Sequence, residues 1–193
     1  MTATVVLDFI IALGTLAVII LVPRKMAFSE AMKYFTVQSN LLCATVSLFC
    51  AVWGLFRPEP GWLLIVKYAA TCAVTVTFVT VFCYLGPRFR NWGFLLSDAN
   101  LWMHLICPLI AIASLLLRSP VQFPFAVTFA GLAPIVLYGL LYVKKVILDP
   151  PARRWEDLYG FSKGVNWKLS LAAMLTLSFA VGTALRVLLK VLC

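Results

Sequence analysis

The sequence predicts an all-α integral membrane bundle of six transmembrane helices. Three observations carry that prediction: the composition, the lengths of the apolar runs, and the placement of the basic residues. With 63% hydrophobic and 12% charged residues, the chain departs from the roughly 45–50% apolar and 25% charged make-up of a water-soluble domain. A hydrocarbon core is crossed by about 20 consecutive apolar residues, and six runs reach that length, near 3–23, 34–56, 63–85, 98–117, 121–143 and 169–189. They use most of the 193 residues. The expectation is one compact domain over 1–193, with the backbone polar groups satisfied inside helices.

The first run has no basic n-region, carries Asp8, and is followed by Pro23, Arg24 and Lys25 where a secretory leader has small residues. It therefore reads as a retained span. The second opens with KYFTVQSNLL (33–42) and the fourth with SDANLWMHLICPLIAI (97–112), both unusually polar at their starts. Pro108, Pro124 and Pro134 are candidate kinks in the fourth and fifth spans. The segment 144–168 holds Pro150, Pro151, Gly160 and Gly164 among charges and reads as a surface linker.

The net charge of +9 follows a topology pattern rather than a nucleic-acid footprint. Eleven of the 16 basic residues lie in the odd-numbered connections. Arg57, Lys67, Arg118, Arg186 and Lys190 fall to the other side. The positive-inside bias then places the odd connections in the cytoplasm and both termini opposite. The basic rim would also attract anionic membrane lipids. No partner beyond membrane lipids and a small substrate is implied, and nucleic acid is not.

Cys43, Cys50, Cys72, Cys83, Cys107 and Cys193 include no C-x-x-C pair, and five fall inside expected spans as small packing residues. His104 is the one histidine, which excludes a bis-histidine haem or a histidine-rich zinc site within the chain. Phosphate-loop, dinucleotide and nucleophile-elbow motifs are missing as well.

At 100° per residue, Thr36, Ser39, Asn40, Cys43, Ser47, Cys50 and Gly54 form one small, polar stripe on the second span, with Gln38 pointing away. By itself the stripe reads as a helix-packing seam. The fourth span starts from the same side and brings Asn100 and His104, one turn apart, to a depth matching Thr36 and Asn40. An ionisable residue within a span is a functional candidate, the alternative being a structural pin. A threonine hydroxyl needs a base to act as a nucleophile, and an imidazole supplies one near neutral pH. The expectation is therefore Thr36 as nucleophile and His104 as general base, with Asn100 orienting the imidazole and Asn40 or Ser39 donating to an oxyanion. Ser39 shares the stripe and is a second candidate nucleophile; Asp98 lies on another face. The chemistry needs no metal or cofactor.

The order and spacing of KYFTVQSNLL, NLWMHLICP and LYGF (158–161) resemble the androgen-induced-gene family of multi-span proteins, with FTVQSN closer to its bacterial branch. The resemblance covers the six-span layout through short motifs. It implies a threonine hydrolase acting on fatty acid esters of hydroxy fatty acids or related lipids, with Thr36 and His104 at the family's threonine and histidine. Two departures stand out. Pro108 follows His104 by four positions where the family has five, and the family's Y-P-F-L loop reads Tyr159, Gly160, Phe161, Ser162. The competing expectation is a non-enzymatic transporter or lipid-binding protein using the same polar pocket; a third is a structural bundle that assembles with a partner.

Overall fold

The computed structural model describes residues 3–21, 27–118, 122–157, 159 and 166–192. Among these there are no strands, and six helices are long and apolar enough to cross a membrane. They are α1 (Ala3–Leu21), α2 (Phe35–Gly54), α3 (Gly61–Phe89), α4 (Asp98–Leu116), α5 (Val127–Leu148) and α6 (Trp167–Leu192). All six expected spans are present, with ends shifted by a few residues. Pro23, Arg24, Lys25, Val121, Gly160, Phe161, Ser162, Gly164 and Cys193, named above, lie outside the described residues.

The central helix is α3, which packs against α2, α4, α5 and α6, while α1 packs against α2 and α4. Its sequence explains the position: every residue from Ala70 to Thr77 is small or β-branched and buried, so neighbours approach closely on all sides. On one flank Ile11, Cys43, Val46, Cys50, Val74, Cys107 and Ala111 form a tight small-residue core. On the other, Tyr68, Cys72, Val76, Ile135, Tyr138 and Leu185 form a bulkier one with α5 and α6. Leu13, Phe49, Leu137, Leu140 and Val191 point outward and exposed, as suits a surface solvated by lipid tails. Gly14 marks the closest approach of α1 to α4. A Cβ there would meet the Trp102 ring at 2.2 Å, and the same indole donates to Thr15 Oγ1 at 3.0 Å.

Three spans loosen into π turns, and each turn is followed closely by a proline. In α4 the turn covers Trp102–Ile106, and the Cys107 amide bonds to the Trp102 carbonyl. Pro108 follows and has no N–H to give. In α3 the turn covers Val81–Leu85, the Gly86 amide bonds to Val81, and Pro87 comes next. In α5 the turn covers Lys144–Leu148, the Asp149 amide bonds to the Lys144 carbonyl at 2.8 Å, and Pro150 comes next. In all three, the ladder lengthens by one residue where the following donor is lost.

Lys67 and Arg118, counted above with the charges of the even-numbered side, are both buried. Lys67 is wholly buried, and its Nζ lies 2.7 Å from Asp8 Oδ1 and 2.6 Å from Ser47 Oγ. Asp8 Oδ1 also accepts from Ser114 Oγ at 2.7 Å, and Asp8 Oδ2 is paired with Arg118. Arg118 continues outward to Glu59 Oε1 at 3.1 Å. Two acids and two bases thus tie α1, α2, α3 and α4 together, with Glu59 alone partly exposed. A lone lysine near a span end reads as a snorkelling side chain; here burial is tolerated because a carboxylate meets it.

Candidate functional site

At the opposite end of the bundle from this ion network, α2 begins without a side-chain cap from Tyr34. Its first amide, Phe35 N–H, donates instead to the Tyr159 hydroxyl at 3.3 Å. Tyr138 holds the preceding turn by donating to the Lys33 carbonyl at 2.8 Å. Tyr138, Tyr142 and Tyr159 pack ring against ring, so Tyr159 is anchored on the entrance to α2. Burial raises the Tyr159 hydroxyl above its ordinary value and keeps the phenol protonated.

Thr36 is half-buried, and among the described residues its hydroxyl makes no hydrogen bond. It lines a narrow cleft, with room for about one water molecule, together with Thr77, Thr80, Val81, Leu85, Tyr159 and Met174. A larger, open hollow of ≈ 420 Å³ lies at the far end of α2, and its one charge, Arg57, already lies 3.9 Å over the Trp53 ring. The hollow offers no nucleophile, whereas the narrower cleft holds Thr36; His104 is not among the residues that line it.

Asn40 is fully buried, and its amide donates to the Thr36 carbonyl at 2.8 Å and to the Met103 carbonyl at 3.2 Å. The π turn explains the second bond. Cys107 N–H has gone to Trp102 and Pro108 has none, so the Met103 carbonyl lacks a helical donor. A side chain from α2 fills that vacancy and fixes the register of the two helices beside His104. Both amide protons are thereby used, so Asn40 is not the oxyanion donor expected from the sequence; its Oδ1 remains as an unpaired acceptor.

His104 is buried, and Nδ1 lies 2.7 Å from the Leu95 carbonyl. A carbonyl only accepts, so Nδ1 carries the proton, and in the neutral ring Nε2 is the basic nitrogen. Among the described residues Nε2 has no hydrogen-bond partner. Asn100, expected to orient the imidazole, donates to Phe94 O at 3.0 Å instead. Both anchors belong to one loop, shaped by Asn91 Oδ1 accepting from Phe94 N at 3.2 Å and by left-handed Arg90 and Asp98 (φ 50° and 47°) at its ends. Such backbone carries strain that the surroundings must offset.

The remaining expected residues divide. Ser39 Oγ is buried and sits 3.1 Å from both the Thr36 carbonyl and Thr77 Oγ1, engaged as a packing hydroxyl rather than open as a nucleophile. Gln38 reaches back to Met32 O at 2.6 Å, away from the cleft. Thr36 and His104 are not hydrogen-bonded to each other, but Asn40 joins their helices at one level. From Cys43 to Cys50 the polar stripe is buried and closely packed, so helix packing accounts for its deeper part, while Thr36 at its mouth lines the cleft.

The sequence reading did not assign Tyr159, Thr77 or Thr80 to the site, although Tyr159 sits in the LYGF motif and was the available signal. As for metals, Asp8, Cys50 and Glu59 bring ligand atoms within 4.8 Å of one another. Lys67 and Arg118 already supply those carboxylates with cations, and a metal ion would have to displace them. Comparison with protein-family models, curated proteins and solved structures finds no match to this chain.

Proposed function

We propose that the protein is an intramembrane lipid-ester hydrolase with Thr36 as nucleophile and His104 as general base. The observation that carries this reading is the Leu95 carbonyl at His104 Nδ1, 2.7 Å away, because it leaves Nε2 as the proton acceptor, as the third member of a catalytic triad does. Thr36 Oγ1 attacks the ester carbonyl while Nε2 takes its proton. Collapse of the tetrahedral intermediate breaks the ester C–O bond, and the proton passes to the departing alcohol. Water, deprotonated by the same nitrogen, then releases the acid and restores Thr36. Tyr159, whose oxygen accepts from Phe35 N–H, donates its own proton to the developing oxyanion. The apolar lining from Val81, Leu85 and Met174 suits an acyl chain entering from the bilayer. The resemblance to the androgen-induced-gene family favours fatty acid esters of hydroxy fatty acids, and the positive-inside bias puts the cleft on the cytoplasmic side.

Binding or transport without chemistry is the second reading, favoured by the buried charges Asp8 and Lys67, since intramembrane ions often mark solute paths. A fluorophosphonate probe separates the two. Labelling of the detergent-purified parent and of Ser39→Ala, lost in folded Thr36→Ala and His104→Ala, is the expected result. A folded parent that neither labels nor turns over a panel of lipid esters would refute the hydrolase reading and leave binding or transport.

A further inference from the structure

At the end of the bundle away from the cleft, three buried polar atoms have no hydrogen-bond partner among the described residues: Thr128 Oγ1, Thr183 Oγ1 and Arg186 Nε. They come from two packed helices, Thr128 from α5 and Thr183 and Arg186 from the turn of α6 that follows its contact with Thr128 at Gly182. The Tyr68 hydroxyl on α3 donates to the Gly182 carbonyl on α6 at 2.6 Å. A Cβ on Gly182 would stand 3.0 Å from that hydroxyl and 3.5 Å from both backbone and side-chain atoms of Thr128 on α5. Thr183 is the next residue, and Arg186 lies one turn beyond it on the same face. Thr128 is fully buried and sits beside the Tyr68 hydroxyl without hydrogen-bond geometry to it.

Arg186 has no ion-pair partner among the described residues. Its guanidinium lies 5.3 Å from the centre of the Phe125 ring. A ring face steadies a cation from one side but neutralises no charge. Arg186 is half-buried, but its Nε is buried and unpaired, and a partly desolvated cation of this kind is costly unless an anion completes the set. Water can satisfy the hydroxyls but brings no counter-charge. The complement of a planar guanidinium flanked by hydroxyls is an oxyanion of the phosphate or carboxylate type.

Depth and surroundings indicate the source of that oxyanion. Arg186 precedes the described end of α6 by six residues, about 9 Å of helix rise, which is within snorkelling reach of the headgroup region. From it, Phe125, Phe129 and Phe179 run toward the bilayer centre as a contiguous aromatic ladder, with Phe125 and Phe129 exposed to the outside. Acyl chains lie well along such a surface. We propose that Arg186, Thr183 and Thr128 form a binding site for the headgroup of one anionic phospholipid, whose chains lie along the Phe125–Phe129–Phe179 ladder. The site is separate from the Thr36 cleft and does not depend on the reaction proposed there.

Native mass spectrometry and thermal unfolding of the full chain in detergent test the site, with phosphatidylglycerol, phosphatidylcholine and inorganic phosphate added separately. Phosphatidylglycerol should give a discrete adduct and raise the unfolding midpoint. Its affinity should fall about tenfold or more in Arg186→Gln, as expected for losing a charged hydrogen-bond partner, and by a smaller factor in Thr183→Val, which keeps charge and shape. Arg153→Gln, at the basic end of the bundle, should bind like the parent and so control for general attraction to the basic rim. Equal stabilisation by inorganic phosphate, lost in Arg186→Gln, would keep the oxyanion site but overturn the lipid as its occupant. Binding of phosphatidylglycerol that is unchanged in both Arg186→Gln and Thr183→Val, or matched by phosphatidylcholine, would overturn the site itself.

Discussion

The ion network makes a sharp prediction about the order of stability in a set of variants. Asp8→Leu removes the carboxylate that takes Lys67 at 2.7 Å, Ser114 at 2.7 Å and Arg118. Lys67, with 0% exposure, is left with one neutral partner, Ser47 Oγ at 2.6 Å. Arg118 keeps Glu59 at 3.1 Å, so the main damage is a stranded ammonium. Breaking a buried pair from one side costs about 3–5 kcal/mol, whereas replacing both partners with apolar groups of similar volume is often close to neutral. Lys67→Met leaves Asp8 with Arg118 and Ser114 and should cost less than Asp8→Leu. The double variant Asp8→Leu/Lys67→Met should recover most of the single loss. At about 2–4 °C per kcal/mol for a chain of this size, Asp8→Leu should lower the midpoint by roughly 10 °C. Cys43, Cys50, Cys72 and Cys107 are buried free thiols, so a maleimide dye that fluoresces on thiol exposure reports unfolding, with exposed Cys83 as the starting signal. If the double variant is no more stable than Asp8→Leu, the cost does not come from an uncompensated Lys67 charge and the reasoning fails.

Other perturbations probe the cleft. Asn40→Leu should cost about 1–3 kcal/mol by leaving the Met103 carbonyl without a donor, read in the same dye assay, and should weaken probe labelling of Thr36. Pro108→Ala restores an N–H beside the π turn; its stability should match or exceed the parent's while labelling falls, because the turn that sets His104 against Leu95 relaxes. Unchanged labelling would show that the turn does not position the imidazole. Tyr159 is held protonated by burial, so the folded state binds its proton more tightly than the unfolded chain, whose tyrosine titrates near about 10. Its stabilising contribution is then complete below that pH and is lost as pH rises toward the higher folded value. Tyr159→Phe should flatten the alkaline part of the unfolding profile, and an unaltered profile would assign that slope to other groups.

The six spans were legible because hydrocarbon thickness fixes helix length whatever the neighbours are. The polar stripe of α2 was legible because 3.6-residue periodicity puts Thr36, Asn40, Cys43 and Ser47 on one face. What those side chains bond to was not. The His104 partner is a backbone carbonyl at Leu95, and a carbonyl has no sequence signature, so Asn100 stood out by its side chain alone. The Asp8–Lys67 pair spans 59 positions and the Asp8–Arg118 pair 110, and each charge alone resembles an ordinary helix-end residue.

Pro108 shows how a small departure in sequence reaches the cleft. Placed four residues after His104, it has no amide for α4 and leaves the Met103 carbonyl open, and Asn40 of α2 answers with a bond at 3.2 Å. The same asparagine holds the Thr36 carbonyl at 2.8 Å. One side chain therefore spans the backbones that carry the hydroxyl and the imidazole. The charged network clamps α1 to α4 at the other end, where Asp8, Lys67 and Arg118 are buried. A bundle locked by charges at that end, with one amide joining α2 to α4 near the cleft, has its ionic rigidity where no reaction is proposed. Two of the three π turns and both left-handed residues among the described residues lie around Thr36 and His104. Strain and irregular helix of that kind persist only where the surrounding structure holds them in place, which is why Asn40, rather than any residue of the deeper seam, is the position at which stability and labelling should fall together.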